Sequence, residues 1–516
     1  MSIDSYRSEP LTNFELPHNK KAMEEALKTV KGMLGQSYPV IIGGERIDTP
    51  DKIISTNPAN PKEIVGKVSK ADKALIDKAL AAGWHAFAEW KKIPGFQRAR
   101  YLYKAAALMR RQKFELSAWE VYEAGKTWIE ADADVAEAID FLEYYGRQME
   151  RIGEGLELTP LPGEEDTAFY VPLGVGAIIP PWNFPLAILA GMSSGAIVAG
   201  NPIVLKPASP TPVIGAKFVE IMEEAGLPPG VLNFVPGDGG VIGDHLVTHP
   251  MTRFVSFTGS REVGLRINRL AAEVAPGQKW VKRVVAEMGG KDAILVDETA
   301  DLDAAAEGIV ASAFGFQGQK CSACSRAVIV DSVYDRVLKL AVERTKKLTL
   351  ADPEAQSTHV GPVIDERAYQ KILGYVEWGK EHAKLAIGGD KGPHPGYFIE
   401  PTIFSEVEPG SKLEQEEIFG PVLSFVRAKN FEHGLEIVND TEYGLTGALY
   451  SRRRDRIEKA IADFEVGNLY INRKCTGAVV GSHPFGGFNM SGTDSKTGSP
   501  DYLLLFMQMK AVAERY

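Results

Sequence analysis

Residues 176–206, GAIIPPWNFPLAILAGMSSGAIVAGNPIVLK, place a short apolar run, a longer apolar stretch behind prolines and a second short apolar run in one piece of chain. Gly176-Ala-Ile-Ile179 and Pro202-Ile-Val-Leu205 read as buried strands, being brief, rich in branched residues and bounded by Gly or Pro. Phe184 to Ala199 reads as a buried core helix. It falls short of the roughly twenty apolar residues that a bilayer span needs, and Pro180, Pro181 and Pro185 front it. The alternation continues outward through Val231-Leu-Asn-Phe234 and Arg253-Phe-Val-Ser-Phe257, which predicts a doubly wound α/β sheet. A second such run has strands at Ala293-Ile-Leu-Val296, Ala327-Val-Ile-Val330, Val422-Leu-Ser-Phe425 and Asn468-Leu-Tyr-Ile471, with a helix over Tyr334 to Leu348. We therefore expect an α/β protein of two doubly wound parallel-sheet domains, with a ligand at strand carboxyl ends near the crevice between them.

Upstream, Leu75, Ala79, Ala82, Ala86 and Trp90 recur at helical spacing, and Ala105 to Met109 repeats the pattern, so the opening section reads as mostly helical. Two pieces fit neither sheet: Leu156 to Val171, broken by Pro160, Pro162 and Gly163, and the apolar run Leu503 to Met509. Edge strands that pair with another subunit account for both, because uncovered apolar edges otherwise aggregate. A homodimer or larger homo-oligomer follows as the expectation.

A chain of 516 residues with 44% hydrophobic and 24% charged content has room for large cores. Its formal charge of -10 argues against sequence-independent nucleic-acid binding, and Arg452-Arg-Arg454 reads as a solvated face. The three cysteines Cys321, Cys324 and Cys475 form no disulfide framework, which points to a reducing cytoplasm. Met1 to Pro10, carrying Asp4, Arg7 and Glu9, has neither a secretory pattern nor a lipidation motif.

The chemistry lies in three short segments. Cys321 ends Gly318-Gln-Lys-Cys321, and Glu287 opens Glu287-Met-Gly-Gly-Lys-Asp292 beside a glycine pair. A thiol with a general base is the equipment of covalent catalysis. Asn183, in Pro181-Trp-Asn-Phe-Pro185, adds a side-chain amide held between prolines, as a preorganised oxyanion donor requires. A free thiol has a pKa near about 8.5, so local donors are expected to raise the reactive thiolate fraction of Cys321. The Cys321/Cys324 pair also matches a redox motif or half a zinc site. A structural zinc needs four ligands and no second cysteine pair exists, so no metal is expected.

No Gly-x-Gly-x-x-Gly follows a strand. Instead Arg253 to Phe257 runs into Thr258-Gly259-Ser260, where Ser260 can cap the next helix and Gly259 permits close approach of a pyrophosphate; an ordinary helix cap explains the same residues. Lys206, ending an apolar strand before Pro207, would face the crevice where adenosine hydroxyls could lie; an exposed strand-end lysine is the bland alternative.

With these pieces in view the chain resembles the aldehyde dehydrogenase superfamily over nearly its whole length. The resemblance rests on the 181–185 segment, Lys206-Pro-Ala208, Phe257 to Gly264, Glu287 to Lys291, Gly318 to Cys321, Glu416-Glu-Ile-Phe-Gly-Pro421 and Pro484-Phe-Gly-Gly487, in the family's order. It implies a dinucleotide fold without the usual glycine fingerprint, Cys321 as nucleophile, Glu287 as general base and Asn183 as oxyanion donor. Lys206 and Glu417 would bind the two cofactor riboses, with Phe419 against the nicotinamide and Trp182, Gly259 and Ser260 in the same cofactor-binding set. Where many NAD-preferring members carry Glu, this chain has Ser209. Loss of that carboxylate removes repulsion against a 2′-phosphate, so NAD is expected with NADP also accepted.

A tighter resemblance, to the members of that superfamily that oxidise glutamate γ-semialdehyde, comes from Cys321-Ser-Ala-Cys-Ser-Arg326 and from Asn472 to Gly487. It implies an anchor for the substrate α-carboxylate at Ser322, Gly477 and Ala478, where free backbone N–H groups suit an anion. Phe184 and Phe485 would wall the aliphatic part of the substrate, core packing being the alternative. The resemblance also divides the chain: 1–152 with 173–287 as the NAD(P)-binding domain, 288–497 as the catalytic domain, and 153–172 with 498–516 as the oligomerisation segment. Another semialdehyde or an amino-aldehyde remains an alternative substrate. A nucleotide-free thiol hydrolase or acyltransferase is the rival enzyme, and Lys206 and Glu417 speak against it.

Overall fold

The strand–helix–strand reading of 176–206 is realised as Gly176–Ile179, Ala187–Val198 and Ile203–Leu205, in a computed structural model that describes residues 5–153, 155–392 and 395–516. Asp4 lies outside the described residues. The helix Ala187–Val198 is buried on nearly every side, which is why it lacks a polar face. Among the described residues, no helix is long and apolar enough to cross a membrane.

The first seven-stranded sheet has the order Arg283–Glu287, Phe254–Thr258, Gly176–Ile179, Ile203–Leu205, Leu232–Phe234, Val40–Ile42, Glu45–Ile47. Its first five strands are parallel, and the last two form an antiparallel edge hairpin. The chain winds outward from Gly176–Ile179 in one direction, then returns to that strand's other side at Phe254–Thr258. Strand order therefore reverses between these two, and the loops carrying Asn183 and Ser260 leave their carboxyl ends at the point where α/β sheets open a crevice.

The second sheet has the order Lys384–Ile387, Thr402–Ser405, Val422–Ala428, Arg326–Val330, Ala293–Val296, Thr446–Tyr450, Asn468–Ile471, parallel except at Lys384–Ile387. The chain passes from Glu287, at the carboxyl end of the first sheet, straight to Ala293, at the amino end of the second. The strand carboxyl ends expected at the crevice are thus those of the first sheet alone. The crevice has the carboxyl edge of one sheet on one side and, on the other, the amino edge of its partner, where the loops before Arg326 and Val422 arrive.

The opening section is less helical than its periodicity implied. Lys73–Trp90 and Gly95–Arg111 are helices, but Gln36–Tyr38, Val40–Ile42, Glu45–Ile47, Lys52–Asn57 and Asn60–Ser69 are strands. Three of these build a small separate sheet, and polar residues interrupt their apolar positions. The two orphan pieces pair with one another: Glu164–Pro172 runs antiparallel to Met507–Arg515. The expected strand from Leu503 is displaced, because Tyr502–Phe506 is a 3₁₀ turn packed into the core beneath helix Ala187–Val198 and the strand starts only at Met507. Upstream of Glu164, the stretch from Leu156 contributes a single bridge, Leu156 to Ala168.

Candidate active site

Glu287 ends a strand whose next residues must squeeze between two loops of the second sheet. At Gly289 and Gly290 any Cβ would run into the Glu417 carboxylate and the Cys321 carbonyl respectively. Glycine is thus the residue that permits the approach. Gly290 N–H also donates to Glu417 Oε1 at 3.0 Å.

Cys321 follows the helix Leu302–Phe314 through a tight turn, Gly315–Gly318, in which Phe316 (φ 46°) and Gln317 (φ 57°) are left-handed. Such a conformation costs about 1–2 kcal/mol per residue. Gln317 Nε2 offsets it by donating to Gly125 O at 3.1 Å and Pro362 O at 2.8 Å. The turn ends the helix and swings the thiol into the crevice, where Cys321 is partly exposed. Ser325 N–H and Arg326 N–H both donate to Asp292 O at 3.1 Å, tying the cysteine loop to the segment after Glu287. Asn183 Nδ2 donates to Gln319 O at 3.0 Å, two residues before the cysteine. Three segments far apart in sequence thus converge on one thiol.

The electrostatics run against the expected activation. Burial pushes the Cys321 thiol well up, and the nearby Glu287, Asp292 and Glu417 carboxylates push it further. The expectation of a raised thiolate fraction is therefore corrected for this state: acids outnumber donors around the sulfur. Burial likewise pushes Glu287 up to about 8, eased by the Thr497 hydroxyl and the Lys496 ammonium. Glu287 Oε1 has no hydrogen-bond partner among the described residues, which leaves it open to a water or substrate proton.

Lys206 is buried, its ammonium donates to Pro207 O at 3.2 Å, and burial pulls its pKa down to about 8 against the opposing charge of Asp238. It is a sequestered strand-end lysine rather than an exposed one. Ser260 caps Arg261–Ala272 by accepting from Val263 N–H at 3.4 Å, and Gly259 N–H donates to Glu287 O at 3.1 Å. Trp182 from the first sheet and Phe419 from the second meet edge to face, centroids 5.5 Å apart. Ser209 lies half-buried in the turn after Lys206.

On the other flank, Ser322 O accepts from Thr446 Oγ1 at 3.4 Å and from Cys475 Sγ at 3.5 Å, so the 475–478 loop borders the cysteine loop. Arg473 donates to Thr476 O and Gly477 O at 3.2 and 3.0 Å, which occupies the carbonyls of that loop. Gly477 is exposed with φ 77° and Ala478 is half-buried. Phe485 pairs with Thr497 beside Glu287, and Phe184 lies under the Lys126 ammonium. Cys324 is buried in the second core and its thiol donates to Arg326 O at 3.5 Å; Cys475 is buried there too.

Sequence reasoning missed Glu137, a half-buried acid on the helix Trp128–Ile152. Burial and the Asp134 carboxylate push it up to about 8, with Lys126 and Lys320 offsetting in part. Nothing in an ordinary amphipathic helix marks it. Elsewhere, Asp77 Oδ1 lies 2.6 Å from His245 Nε2 and 3.4 Å from His249 Nε2. His249 Nδ1 accepts from Met251 N–H, so a neutral His249 ring carries its proton on Nε2, the nitrogen that faces Asp77.

A part-exposed thiol flanked by a buried carboxylate and an amide, between two α/β sheets, defines a class of enzyme that works through a covalent thiol intermediate. The aldehyde dehydrogenase family profile matches residues 46–512, and the chain belongs to that family. The 1-pyrroline-5-carboxylate dehydrogenase of Anoxybacillus flavithermus is 59% identical over 514 residues, covering 100% of both chains. The crystal structure of 1-pyrroline-5-carboxylate dehydrogenase from Thermus with bound NAD superposes with a TM-score of 0.99 at 53% identity, again over 100% of both chains. Proline utilization A from Bdellovibrio bacteriovorus matches at 44% identity and a TM-score of 0.98, over 99% of this chain and 53% of that one.

Proposed function

We propose that the protein oxidises L-glutamate γ-semialdehyde, formed from 1-pyrroline-5-carboxylate in proline catabolism, to L-glutamate with NAD as acceptor. The observation that carries this reading is the convergence of Asn183, Glu287 and Cys321 at the crevice, beside a loop whose N–H groups can meet an α-carboxylate. The Cys321 thiol gives its proton to water, the thiolate adds to the aldehyde carbon, and the resulting oxyanion is held by Asn183 Nδ2 and the Cys321 N–H. Such a donor is worth about 3 kcal/mol in the transition state. When bound, the dinucleotide accepts the hydride that leaves the substrate carbon. Glu287 then takes a proton from water, which hydrolyses the thioester and releases the carboxylate product.

The residues present fit the dinucleotide. Lys206 is buried and, among the described residues, makes no ion pair, although it feels the charge of Asp238, so its ammonium can meet ribose hydroxyls. Glu417 would hold the second ribose, Gly259 and Ser260 would receive the pyrophosphate, and Trp182 and Phe419 would wall the nicotinamide. Ser209 adds no charge against a 2′-phosphate, so NADP is accepted as well. Ser322, Gly477 and Ala478 anchor the α-carboxylate, Phe184 and Phe485 flank the carbon chain, and Glu137 offers its carboxylate to the α-ammonium.

In this reading 1–152 with 173–287 is the cofactor domain, 288–497 is the catalytic domain, and 153–172 with 498–516 joins subunits. A lone two-stranded sheet is marginal in water. Phe169, Met509 and Val512, 39%, 54% and 40% exposed on it, support covering by a second copy. The free thiols of Cys321, Cys324 and Cys475 suit a cytoplasmic location.

The test is reduced-nicotinamide absorbance with glutamate γ-semialdehyde against aldehydes lacking its α-carboxylate or α-ammonium. A preference of about 10²-fold or more in kcat/KM is expected, since the truncated aldehydes leave the anchor groups unpaired. Equal rates across the panel sink the substrate assignment.

A further inference from the structure

One buried cation touches both halves of the site. Lys126 follows the left-handed Gly125 that ends helix Lys113–Ala124, and it is 0% exposed. Its ammonium lies 4.5 Å from the ring centroid of Phe184 and 4.8 Å from that of Phe316. Phe184 adjoins Asn183, and Phe316 belongs to the left-handed turn that aims Cys321. The same stretch of chain is tied to that turn a second time, because Gly125 O accepts from Gln317 Nε2 at 3.1 Å.

Two acids face the ammonium from below. Glu120 lies 3.3 Å away, and Asp134 is in ion-pair contact with it. Asp134 Oδ1 in turn accepts from Ala187 N–H at 2.6 Å, at the start of the helix that follows Phe184. Burial pulls the Lys126 pKa down, but Asp134 and Glu120 more than offset it, so the group stays charged. A desolvated cation attracts ring faces far more strongly than an exposed one. A structural ion pair needs only the acids; these two rings come from the two segments whose spacing the chemistry depends on.

We infer that Lys126 is a positioning residue, a buried ammonium clamp that binds Phe184 and Phe316 together and so sets the separation of the Asn183 amide from Cys321. The inference rests on the assignment of Asn183 and Cys321 in the proposed function. The clamp acts on the oxyanion, not on cofactor binding or on access to the thiol.

The test uses the full chain with Lys126→Met, which keeps an unbranched apolar stem without the charge. Turnover per reactive Cys321, counted by iodoacetamide labelling and mass spectrometry, is expected to fall about 30-fold. KM for NAD should stay within about twofold, and the labelling rate within about threefold, because neither samples the oxyanion. Unchanged turnover per reactive thiol overturns the clamp, as does a loss of turnover matched by equal losses in NAD binding and labelling. If Lys126→Met does not fold, Phe316→Leu carries the test, since it leaves the ammonium and its acids in place. A comparable kcat loss at constant KM for NAD supports the clamp, and full kcat overturns it. A wild-type protein inactive on the semialdehyde but active on simple aldehydes sinks the substrate reading instead, and the clamp is then read from kcat on those aldehydes.

Discussion

The carboxyl of Glu287 and the thiol of Cys321 are both held toward their neutral forms, and this sets the pH behaviour expected at the residue scale. A base with a pKa near 8 is mostly protonated at pH 7 and gains capacity to take a proton from water as pH rises through that value. The thiol, also shifted upward, ionises in the same direction. Steady-state kcat should therefore climb between about pH 6.5 and 9, and stopped-time labelling of Cys321 with iodoacetamide should climb with it. A flat profile would place the limiting step elsewhere. Glu287→Gln should trap an acyl-enzyme visible by rapid-quench mass spectrometry, whereas Cys321→Ala should abolish oxidation and retain NAD binding in a fluorescence titration. Asn183→Ala should lower kcat by about 10²–10³, the usual loss for one oxyanion donor. These candidate residues were legible because they sit in short, unusual motifs. Glu137, Asp134 and Lys126 were not, since an acid on a regular helix, or a lysine in the short link between two helices, reads the same whether it faces a site or solvent.

At the scale of elements, the strands read as short apolar runs appear within about a residue of their expected ends, except that the one from Val422 runs three residues past Phe425, to Ala428. Gly176–Ile179, Ala293–Val296 and Asn468–Ile471 coincide with them. A fully buried parallel strand has little choice of residue, so its composition declares it. The strands between Gln36 and Ser69 were missed for the opposite reason: Asn60–Ser69 alternates exposed and covered positions, and its partners come from elsewhere in the fold. The turn at Phe316 and Gln317 was equally hidden, because neither residue type favours left-handed backbone. Its upkeep falls on Gln317, whose two donated hydrogen bonds join the turn to Gly125 and Pro362. Gln317→Ala strands two carbonyl acceptors and should destabilise the protein by about 2 kcal/mol in urea unfolding, with kcat reduced and KM for NAD little changed. Retained stability would show that water replaces the amide.

For the whole molecule, the antiparallel pair Glu164–Pro172 and Met507–Arg515 joins the middle of the chain to its end and leaves apolar side chains uncovered. Met509→Lys with Val512→Lys should convert an assembled species to monomer in sedimentation velocity while the sheets elsewhere stay intact; an unchanged sedimentation coefficient would remove this ribbon from the subunit contact. The amino-acid sequence alone determined the two α/β sheets, the family and the three groups proposed to carry the chemistry, because strand burial and reactive motifs are properties of adjacent residues. Only the tertiary structure decided that the crevice joins the carboxyl edge of one sheet to the amino edge of the other, that the thiol lies among acids, and that Lys126 meets rings from two distant segments. Those facts depend on distances and on desolvation between parts of the chain that lie tens to nearly two hundred residues apart, and no local pattern encodes them.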